Sequence, residues 1–421
     1  SGIGHGRAGG LRGCTLVPLE YPWQVAAMTA RNPPSFLTLV AGPALSVLTL
    51  NMFLPSLPRL AADLGATYGQ ATLAFSGYLA AVAVLQLILG PLSDRYGRRP
   101  VLLVSLVGFI AASVGCALAQ SLPTFLAFRA AQGLVIAGST LSLAAVRDTT
   151  DPAEAASRIG FLGMVMAIGP MIGPMIGGVL DTVLGWRAIF WGLGGLGVCV
   201  TVLSWVDFGE TNTRKSSDFG AQFRAYPALL TSGLFWSCAM VLVCGIGCFY
   251  IFISGAPLVA DQVFALDSAQ IGIAIGIITT GFFVGNYVSG RITKRVGLGP
   301  MIVAGRVSAV AGMVVSVALL GIGVENVWLY FGCVTLVGFG NGLSTPSANS
   351  GVMSVDPALA GSAAGLSGAM IMGGGAVLTA GAAAVLGGPA IALQLALMIL
   401  VVAVAGLIAG VLAQRGLARL A

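Results

Sequence analysis

Charged side chains are scarce in this chain. Only 8% of its 421 residues are Asp, Glu, Lys or Arg, whereas 57% are hydrophobic. Soluble domains carry about 25% charged residues, so this chain cannot cover itself with polar surface in water. Apolar runs of about 20 residues recur along it, each long enough to cross the hydrocarbon core of a bilayer as a helix. The sequence therefore predicts an all-α membrane protein surrounded by lipid.

Residues that bind metals or perform acid–base catalysis are also few. The chain has one histidine, His5, and 7 cysteines without a CxxC pair. Its 14 acidic residues all fall in predicted loops or at the ends of predicted spans. A metal site or a membrane-embedded enzyme would need such groups in a cluster. We therefore expect no metal, no cofactor and no enzymatic activity.

Twelve apolar segments are long enough to span a bilayer. They cover residues 36–58, 69–90, 100–119, 123–146, 159–182, 187–207, 227–254, 268–290, 300–322, 326–348, 360–385 and 389–413. The longest polar stretch, 208–226, separates the sixth span from the seventh. It predicts a linker between two six-helix bundles, 36–207 and 227–413. Residues 1–35 then form an extension and lead, of which 1–27 is expected to be functionally silent, and 414–421 form a tail.

Basic residues are distributed unevenly between the loops. From residue 28 onward, fourteen Lys and Arg lie on one face and two, Arg59 and Arg187, on the other, while Arg129 and Arg306 lie within spans. Basic loops remain in the cytoplasm, so both termini and the linker are predicted to be cytoplasmic. The formal charge of +6 follows from this loop bias. It does not indicate a nucleic-acid partner.

The two halves share sequence signatures at equivalent loops. GPLSDRYGRRP at 90–100 matches GRITKRVGLGP at 290–300, with an offset of 200 residues. DPAEAASRIG at 151–160 matches DPALAGSAAG at 356–365, with an offset of 205. Repeated sets of membrane helices are the usual plan of secondary transporters, whose substrate site lies near the midplane between the repeats. A channel would have no reason for two such halves, so the pattern favours a transporter with a small-molecule substrate.

The first of these loops resembles the signature of the major facilitator superfamily between its second and third helices. The residues on that pattern are Gly90, Asp94, Arg95, Gly97, Arg98 and Arg99. The resemblance implies a gating loop that latches the outward-open form. Asp94 is expected to pair with arginines or to face a helix N-terminus across the two halves.

A second resemblance to this superfamily lies in the fourth span. FRAAQG at 128–133 is similar to the family's second motif, with Arg129 and Gln132 on the pattern. A guanidinium roughly 9 Å inside a span is costly in lipid. Arg129 is therefore expected to face the interior of the bundle, whereas Arg306, nearer a helix end, is expected to snorkel to the interface.

The fifth span resembles the antiporter branch of the superfamily. Its GxxxGPxxGG pattern is matched by Gly169, Gly173, Pro174, Gly177 and Gly178. A stripe of small residues alone indicates only close helix packing. In this span, beside the other motifs, the resemblance favours an exporter.

From residue 28 to the C-terminus the chain resembles the bicyclomycin/chloramphenicol-resistance (Bcr/CflA) drug-efflux transporters. NMFLPSLP at 51–58, GWRAIF at 185–190 and FISGAP at 252–257 carry the resemblance. It implies a monomeric drug:proton antiporter of the bacterial inner membrane that works by alternating access. Asn51 stands where the subfamily usually has an aspartate, and an amide cannot titrate. The proton carrier stays open between Asp94, Asp148 and none, and an uncoupled transporter of an endogenous metabolite is the alternative.

Polar and aromatic residues on the central spans predict the lining of a substrate cavity. They are Asn51, Phe53, Tyr78, Arg129, Tyr250, Asn286, Tyr287, Asn341 and Ser344. Amides and phenols scattered over an apolar wall suit a neutral, moderately lipophilic compound. Each of these residues can equally serve as a polar contact between helices.

Overall fold

The fold was analysed in a computed structural model, which describes residues 34–150, 152–212, 221–356, 359–388 and 390–419. Within these ranges, 12 helices are long and apolar enough to cross a membrane, which confirms the predicted number. They are α1 (Phe36–Asp63), α2 (Tyr68–Tyr96), α3 (Arg98–Leu118), α4 (Leu122–Thr149), α5 (Pro152–Leu184), α6 (Arg187–Asp207), α7 (Gly233–Gln262), α8 (Ser268–Val296), α9 (Leu298–Gly321), α10 (Val327–Met353), α11 (Ala360–Val385) and α12 (Ile391–Ala418). The expectation for residues 1–27 lies outside the described part of the chain.

Several predicted span ends differ from the observed helix ends, and two of these differences change the predicted limits of the C-terminal bundle. The seventh span was expected at 227–254, but a separate linker helix, Ala221–Leu230, precedes it and α7 runs from Gly233 to Gln262. Ser232 sets the start of α7, because its hydroxyl accepts the N–H of Phe235 at 3.3 Å and caps the helix. The last helix likewise continues five residues beyond 413, to Ala418. Apolar pattern gave the helix centres but not these ends.

The first helix is interrupted. It consists of Phe36–Asn51, a 3-10 turn Leu54–Ser56 and a final segment Leu57–Asp63. Pro55 and Pro58 supply no backbone N–H, so the regular helical hydrogen bonds cannot continue through this stretch. The interruption turns the end of α1 toward α7 and α8 of the other half.

The internal repeat is visible in the backbone. Gly97 and Gly297, 200 residues apart, both make the turn between two long helices with positive φ, +106° and +92°. Gly65 at φ 61° is matched by Ala265 at φ 51°, the only non-glycine residue with positive φ in the described ranges. The same offset relates the capping boxes that open α2 and α8, Thr67 with Gln70 and Asp267 with Gln270. The halves therefore share local geometry as well as sequence signatures.

The largest contacts between the halves are made by two helix pairs, α2 with α11 and α5 with α8. One end of the helix bundle carries Arg95, Arg98, Arg99, Lys294 and Arg295 and is called the basic end. The opposite end of the bundle is called the outer end. At the outer end, the Tyr68 hydroxyl on α2 donates to the Ser254 carbonyl on α7 at 2.5 Å. Gly178 of α5 meets Ser268 of α8 backbone to backbone. The halves are thus joined at the outer end.

Candidate functional site

A cavity of about 450 Å³ lies between the two halves. None of the described residues that line it is charged. Its uncharged polar lining residues are Ser46, Asn51, Tyr78, Ser139, Tyr250, Thr279, Asn341, Thr345 and Asn349. The remainder is mostly apolar, with Phe249, Phe282, Met166 and Met372 among its larger side chains. The cavity therefore offers hydrogen bonds on an apolar wall without formal charge.

The cavity reaches the surface toward the basic end. Gly163 and Asn349, which line it there, are exposed. Its deeper wall holds Tyr78 and Tyr250, which are 3% and 5% exposed. Phe75 packs edge-on against Tyr250, with ring centroids 5.5 Å apart, behind that wall. A molecule could enter from the basic end but not from the outer end in this conformation.

Four of the nine residues predicted for the cavity line it. Asn51 and Tyr78 come from the N-terminal half, and Tyr250 and Asn341 from the C-terminal half. Asn51 donates its amide to the Val47 carbonyl at 2.8 Å, and its Oδ1 has no hydrogen-bond partner among the described residues. Both halves therefore contribute polar groups to one space.

Arg129 does not line the cavity but lies directly behind it. Its side chain is fully buried, with the guanidinium 4.2 Å from the Phe53 ring centroid and 4.3 Å from that of Tyr78. Nη1 donates to Gln132 Oε1 at 2.8 Å and Nη2 to the Thr49 carbonyl at 2.9 Å. The charge is held by neutral acceptors and two aromatic faces, since no carboxylate of the described residues pairs with it.

Arg306 does not snorkel, so that expectation was wrong. It is 1% exposed, and its Nη2 donates to Asn341 Oδ1 at 2.6 Å, to Ser344 Oγ at 2.5 Å and to the Gly340 carbonyl at 3.2 Å. Asn341 in turn donates to the Gly245 carbonyl at 2.8 Å. Ser344, predicted for the cavity, instead belongs to this buried cluster behind Asn341.

Three further predicted residues lie away from the cavity. Phe53 is fully buried beneath Arg129. Asn286 is half-buried and donates to the Phe282 carbonyl of its own helix at 3.1 Å. Tyr287 is 56% exposed, and its ring lies under the Arg291 guanidinium at 4.8 Å. Tyr287 faces outward because α8 uses its glycines Gly281 and Gly285 to pack on α10.

Five polar lining residues were not predicted from the sequence, although part of the signal for them is present in it. On α10, Thr345 and Asn349 follow Asn341 at intervals of four residues, which places all three on one helix face. Ser46, Ser139 and Thr279 carried no comparable signal. Hydroxyl residues inside membrane helices commonly bond their own backbone, and Thr279 does so, to the Gly276 carbonyl at 2.8 Å.

The predicted gating loop is a single-residue turn. Gly90, Asp94 and Arg95 lie in the last turns of α2, Gly97 makes the turn, and Arg98 and Arg99 open α3. Asp94 pairs with Arg98 at 2.8 Å, and Arg98 pairs with Asp148 of α4 at 3.1 Å. These pairs join helix ends within the N-terminal half. Asp94 therefore pairs with an arginine, one of the two partners expected of it, and within the described ranges its carboxylate pairs with no residue of the other half.

The start of the linker holds this turn from the other side. Glu210 accepts the backbone N–H of Arg98 at 2.9 Å and of Arg99 at 3.4 Å, so a carboxylate caps the N-terminus of α3. Arg99 also donates to the Trp205 carbonyl at 2.7 Å. Hydrogen bonds therefore link the gating-loop motif to the segment that follows the sixth helix.

The glycines of the fifth-span motif pack on two different helices. Added Cβ atoms at Gly169, Gly173 and Gly177 would meet Val47, Asn51 and Met52 of α1 at 2.2, 3.1 and 1.7 Å. A Cβ at Gly178 would lie 2.2 Å from the Ser268 carbonyl of α8 in the other half. Pro174 faces Gly272, also on α8. The stripe thus packs α5 into its own half and against its partner half.

One acidic side chain is buried in the described part of the chain. Asp181, near the outer end of α5, is 1% exposed and accepts the Ser268 hydroxyl at 2.6 Å. Arg59 lies 3.7 Å from the same oxygen, and Oδ1 has no partner among the described residues. Its position at a span end was predicted, but its burial against the other half was not.

The residues 39–380 match the family model of the Major Facilitator Superfamily. The chain belongs to the Major Facilitator Superfamily. Members of this superfamily are transporters rather than enzymes. With its twelve spans, the chain is a multi-pass membrane protein, and its bacterial relatives support the inner membrane as its location.

Among curated proteins, this superfamily member is 32% identical over 304 residues to a chloramphenicol resistance protein of Pseudomonas aeruginosa, covering 67% of this chain and 71% of that protein. It is 30% identical over 223 residues to the multidrug resistance protein MdtL of Escherichia coli O9:H4, covering 52% of this chain and 56% of MdtL. These matches confirm the resemblance to drug-efflux transporters.

Two solved structures share the fold. A bacterial homolog of the human lysosomal transporter Spinster, inward-facing and unoccupied, has a TM-score of 0.72 at 16% identity and covers 91% of this chain and 97% of that one. The human organic anion transporter MFSD10 (TETRAN) has a TM-score of 0.64 at 20% identity and covers 90% of this chain and 98% of that one. At these identities the likeness extends to the fold alone.

Proposed function

We propose that this chain exports drugs or other small molecules through its central cavity. The observation that carries the proposal is the uncharged, largely apolar cavity of about 450 Å³ between two pseudo-symmetric halves. Its volume and its few hydrogen-bonding groups are those of a small-molecule site. The chloramphenicol resistance protein and MdtL, as relatives, support drugs as the substrates.

The proposed direction rests on charge distribution. If the basic end lies in the cytoplasm, as the positive-inside bias predicts, the cavity is open to the cytoplasm and closed at the outer end. The substrate would enter from the cytoplasm or inner leaflet. The outer end would then open and release the substrate. This opening requires Tyr68 to separate from Ser254 and Gly178 to separate from Ser268. Each chain holds a whole cavity, so a monomer suffices.

The coupling to protons follows only from the family. Drug:proton antiport requires a group that titrates where the cavity can exchange protons, and none of the lining residues is acidic or a histidine. This observation favours a second candidate, an uncoupled transporter, which would move either a drug or an endogenous metabolite down its gradient. The two candidates share one cavity and differ in their response to a pH gradient.

A susceptibility panel in an efflux-deficient bacterium tests export directly. Cells that produce the chain should resist neutral compounds such as chloramphenicol better than cells with an empty vector. Thr345→Phe, which fills the cavity wall, should abolish the difference. Val377→Phe is the matched control, because Val377 is 73% exposed on the lipid side of α11. Unchanged susceptibility across the panel at equal membrane levels would refute drug export.

A further inference from the structure

Two buried guanidinium groups flank the cavity, one in each half. Arg129 is fully buried behind Tyr78, and Arg306 is 1% exposed behind Asn341. Tyr78 and Asn341 are themselves lining residues. One side chain therefore separates each positive charge from the space in which a substrate would lie.

Neither charge is neutralised locally. The partners of Arg129 are an amide oxygen, a backbone carbonyl and two aromatic faces, and its Nε has no acceptor among the described residues. Arg306 donates to two side-chain oxygens and a backbone carbonyl, and its Nε and Nη1 have no acceptor in the described part of the chain. Asp181, the buried acid of the described residues, lies at the outer end with Arg59 and Ser268. Burial of an unpaired cation is costly, so both residues are expected to serve a purpose.

The two charges lie at different depths. Arg129 is seven residues from Leu122, where α4 begins at the outer end, and Arg306 is eight residues from Leu298, where α9 begins at the basic end. At the helical rise these positions are about 10 and 12 Å inside opposite ends. The cavity is thus bracketed along the membrane normal as well as across the two halves. A compound in the cavity is therefore exposed to a positive electrostatic potential whichever end of the cavity is open.

Charges in a low-dielectric interior act over longer distances than charges in water. No acidic residue is among the described residues of the lining, so none of these opposes the field of the two arginines. A cation would be repelled from both sides, whereas an anion, or a neutral compound rich in nitro or carbonyl oxygens, would be attracted.

We propose that the cavity selects its substrates by charge, accepting anionic and neutral, oxygen-rich compounds and rejecting cations. The proposal rests on the proposed function, because it concerns the same cavity. It narrows "drugs or other small molecules" to a chemical class. Lipophilic cations would not be substrates.

Three one-ring probes of similar size test the proposal: 4-nitrobenzoate, 4-nitrobenzyl alcohol and 4-nitrobenzylammonium. Each is titrated calorimetrically into the full chain in detergent, with empty micelles as the blank. We expect the anion to bind at least tenfold more tightly than the cation, with the alcohol between them. Equal affinities, or tighter binding of the cation, would overturn the proposal.

Variants locate the source of the preference. Arg129→Gln and Arg306→Gln should each reduce the anion-to-cation ratio several-fold if they fold. Thr345→Glu, a change at a half-buried position of the wall, should invert the ratio, and Val377→Phe, outside the cavity, should leave it as in the unmodified chain. A ratio insensitive to Thr345→Glu would show that the probes bind elsewhere and would overturn the proposal.

Chloramphenicol counterflow in proteoliposomes separates this proposal from the proposed function. If chloramphenicol counterflow occurs but 4-nitrobenzoate and 4-nitrobenzylammonium bind equally, drug export is supported and charge selection is refuted. If the anion binds more tightly than the cation but no counterflow occurs, charge selection is supported and drug export is refuted.

Discussion

Gly177 and Gly178 are neighbours in sequence but hold different contacts. A Cβ at Gly177 would lie 1.7 Å from the Met52 carbonyl oxygen, within the N-terminal half. A Cβ at Gly178 would lie 2.2 Å from the Ser268 carbonyl oxygen, in the other half. Both carbonyl oxygens belong to the backbone, so no side-chain rotation relieves either overlap. A helix therefore has to move by more than about 1 Å before the added Cβ reaches normal van der Waals contact.

The same substitution should therefore have two different consequences. Overpacking costs about 1–3 kcal/mol. In Gly177→Ala this cost falls on the fold of the N-terminal half in every conformation, so the melting temperature should drop. In Gly178→Ala it falls only on the conformation in which the outer end is closed. A cost of about 1–3 kcal/mol shifts that equilibrium by about 5- to 150-fold toward the outer-open form.

The opening of the outer end can be followed with spin labels attached at positions Gln120 and Glu325 of a variant that has no other cysteines. The distance between the two labels is measured by double electron–electron resonance. Both positions are exposed, one in each half. Gly178→Ala should lengthen the dominant distance, and Gly177→Ala should not. Gly192→Ala is the matched control, because nothing lies within 4 Å of its added Cβ. If Gly178→Ala lowered the melting temperature as Gly177→Ala does, without changing the distance, the cross-half contact would be refuted.

Two further predictions concern single residues, and a third concerns proton coupling. Ala265→Gly should raise the melting temperature by relieving the cost, about 1 kcal/mol, of a left-handed alanine at φ 51°; an unchanged or lower value would contradict this. Ser268→Ala removes the donor to buried Asp181, a bond to a charged group worth about 1.5–3 kcal/mol, so the Gln120–Glu325 distance should lengthen; an unaltered distance would show that the bond does not hold the outer end. If the lack of an acid at Asn51 and in the rest of the described lining abolishes proton coupling, transport in vesicles should be insensitive to an imposed pH gradient; strong acceleration by the gradient would rule out the uncoupled transporter and favour drug:proton antiport.

The number of spans and the repeat could be predicted because they depend on local pattern. Apolar runs mark helices regardless of how they pack, and a turn that needs positive φ favours glycine, as at Gly97 and Gly297. The start of α7 could not be predicted in the same way, because the apolar end of the linker helix, residues 227–230, leads directly into the apolar sequence of α7. A serine cap between them decides the boundary.

The placement of Arg306 depended on packing that the sequence does not show. Its distance from a helix end suggested snorkelling, but α9 and α10 approach so closely that a Cβ at Gly305 would lie 2.4 Å from the Gly340 carbonyl. This approach brings Asn341 and Ser344 to the guanidinium. Tyr287 was misplaced for a related reason, since helix rotation about its own axis is set by the partner helices. Polar type alone therefore could not separate residues in the cavity wall from residues behind it.

Counterflow of radiolabelled chloramphenicol into proteoliposomes is the measurement that tests export through the central cavity most directly, because it requires alternating access but no coupling ion. We predict transient uptake above protein-free liposomes that saturates with concentration, is lost in Thr345→Phe and is retained in Val377→Phe. Uptake no greater than that of protein-free liposomes, or equal uptake by both variants, would contradict the account.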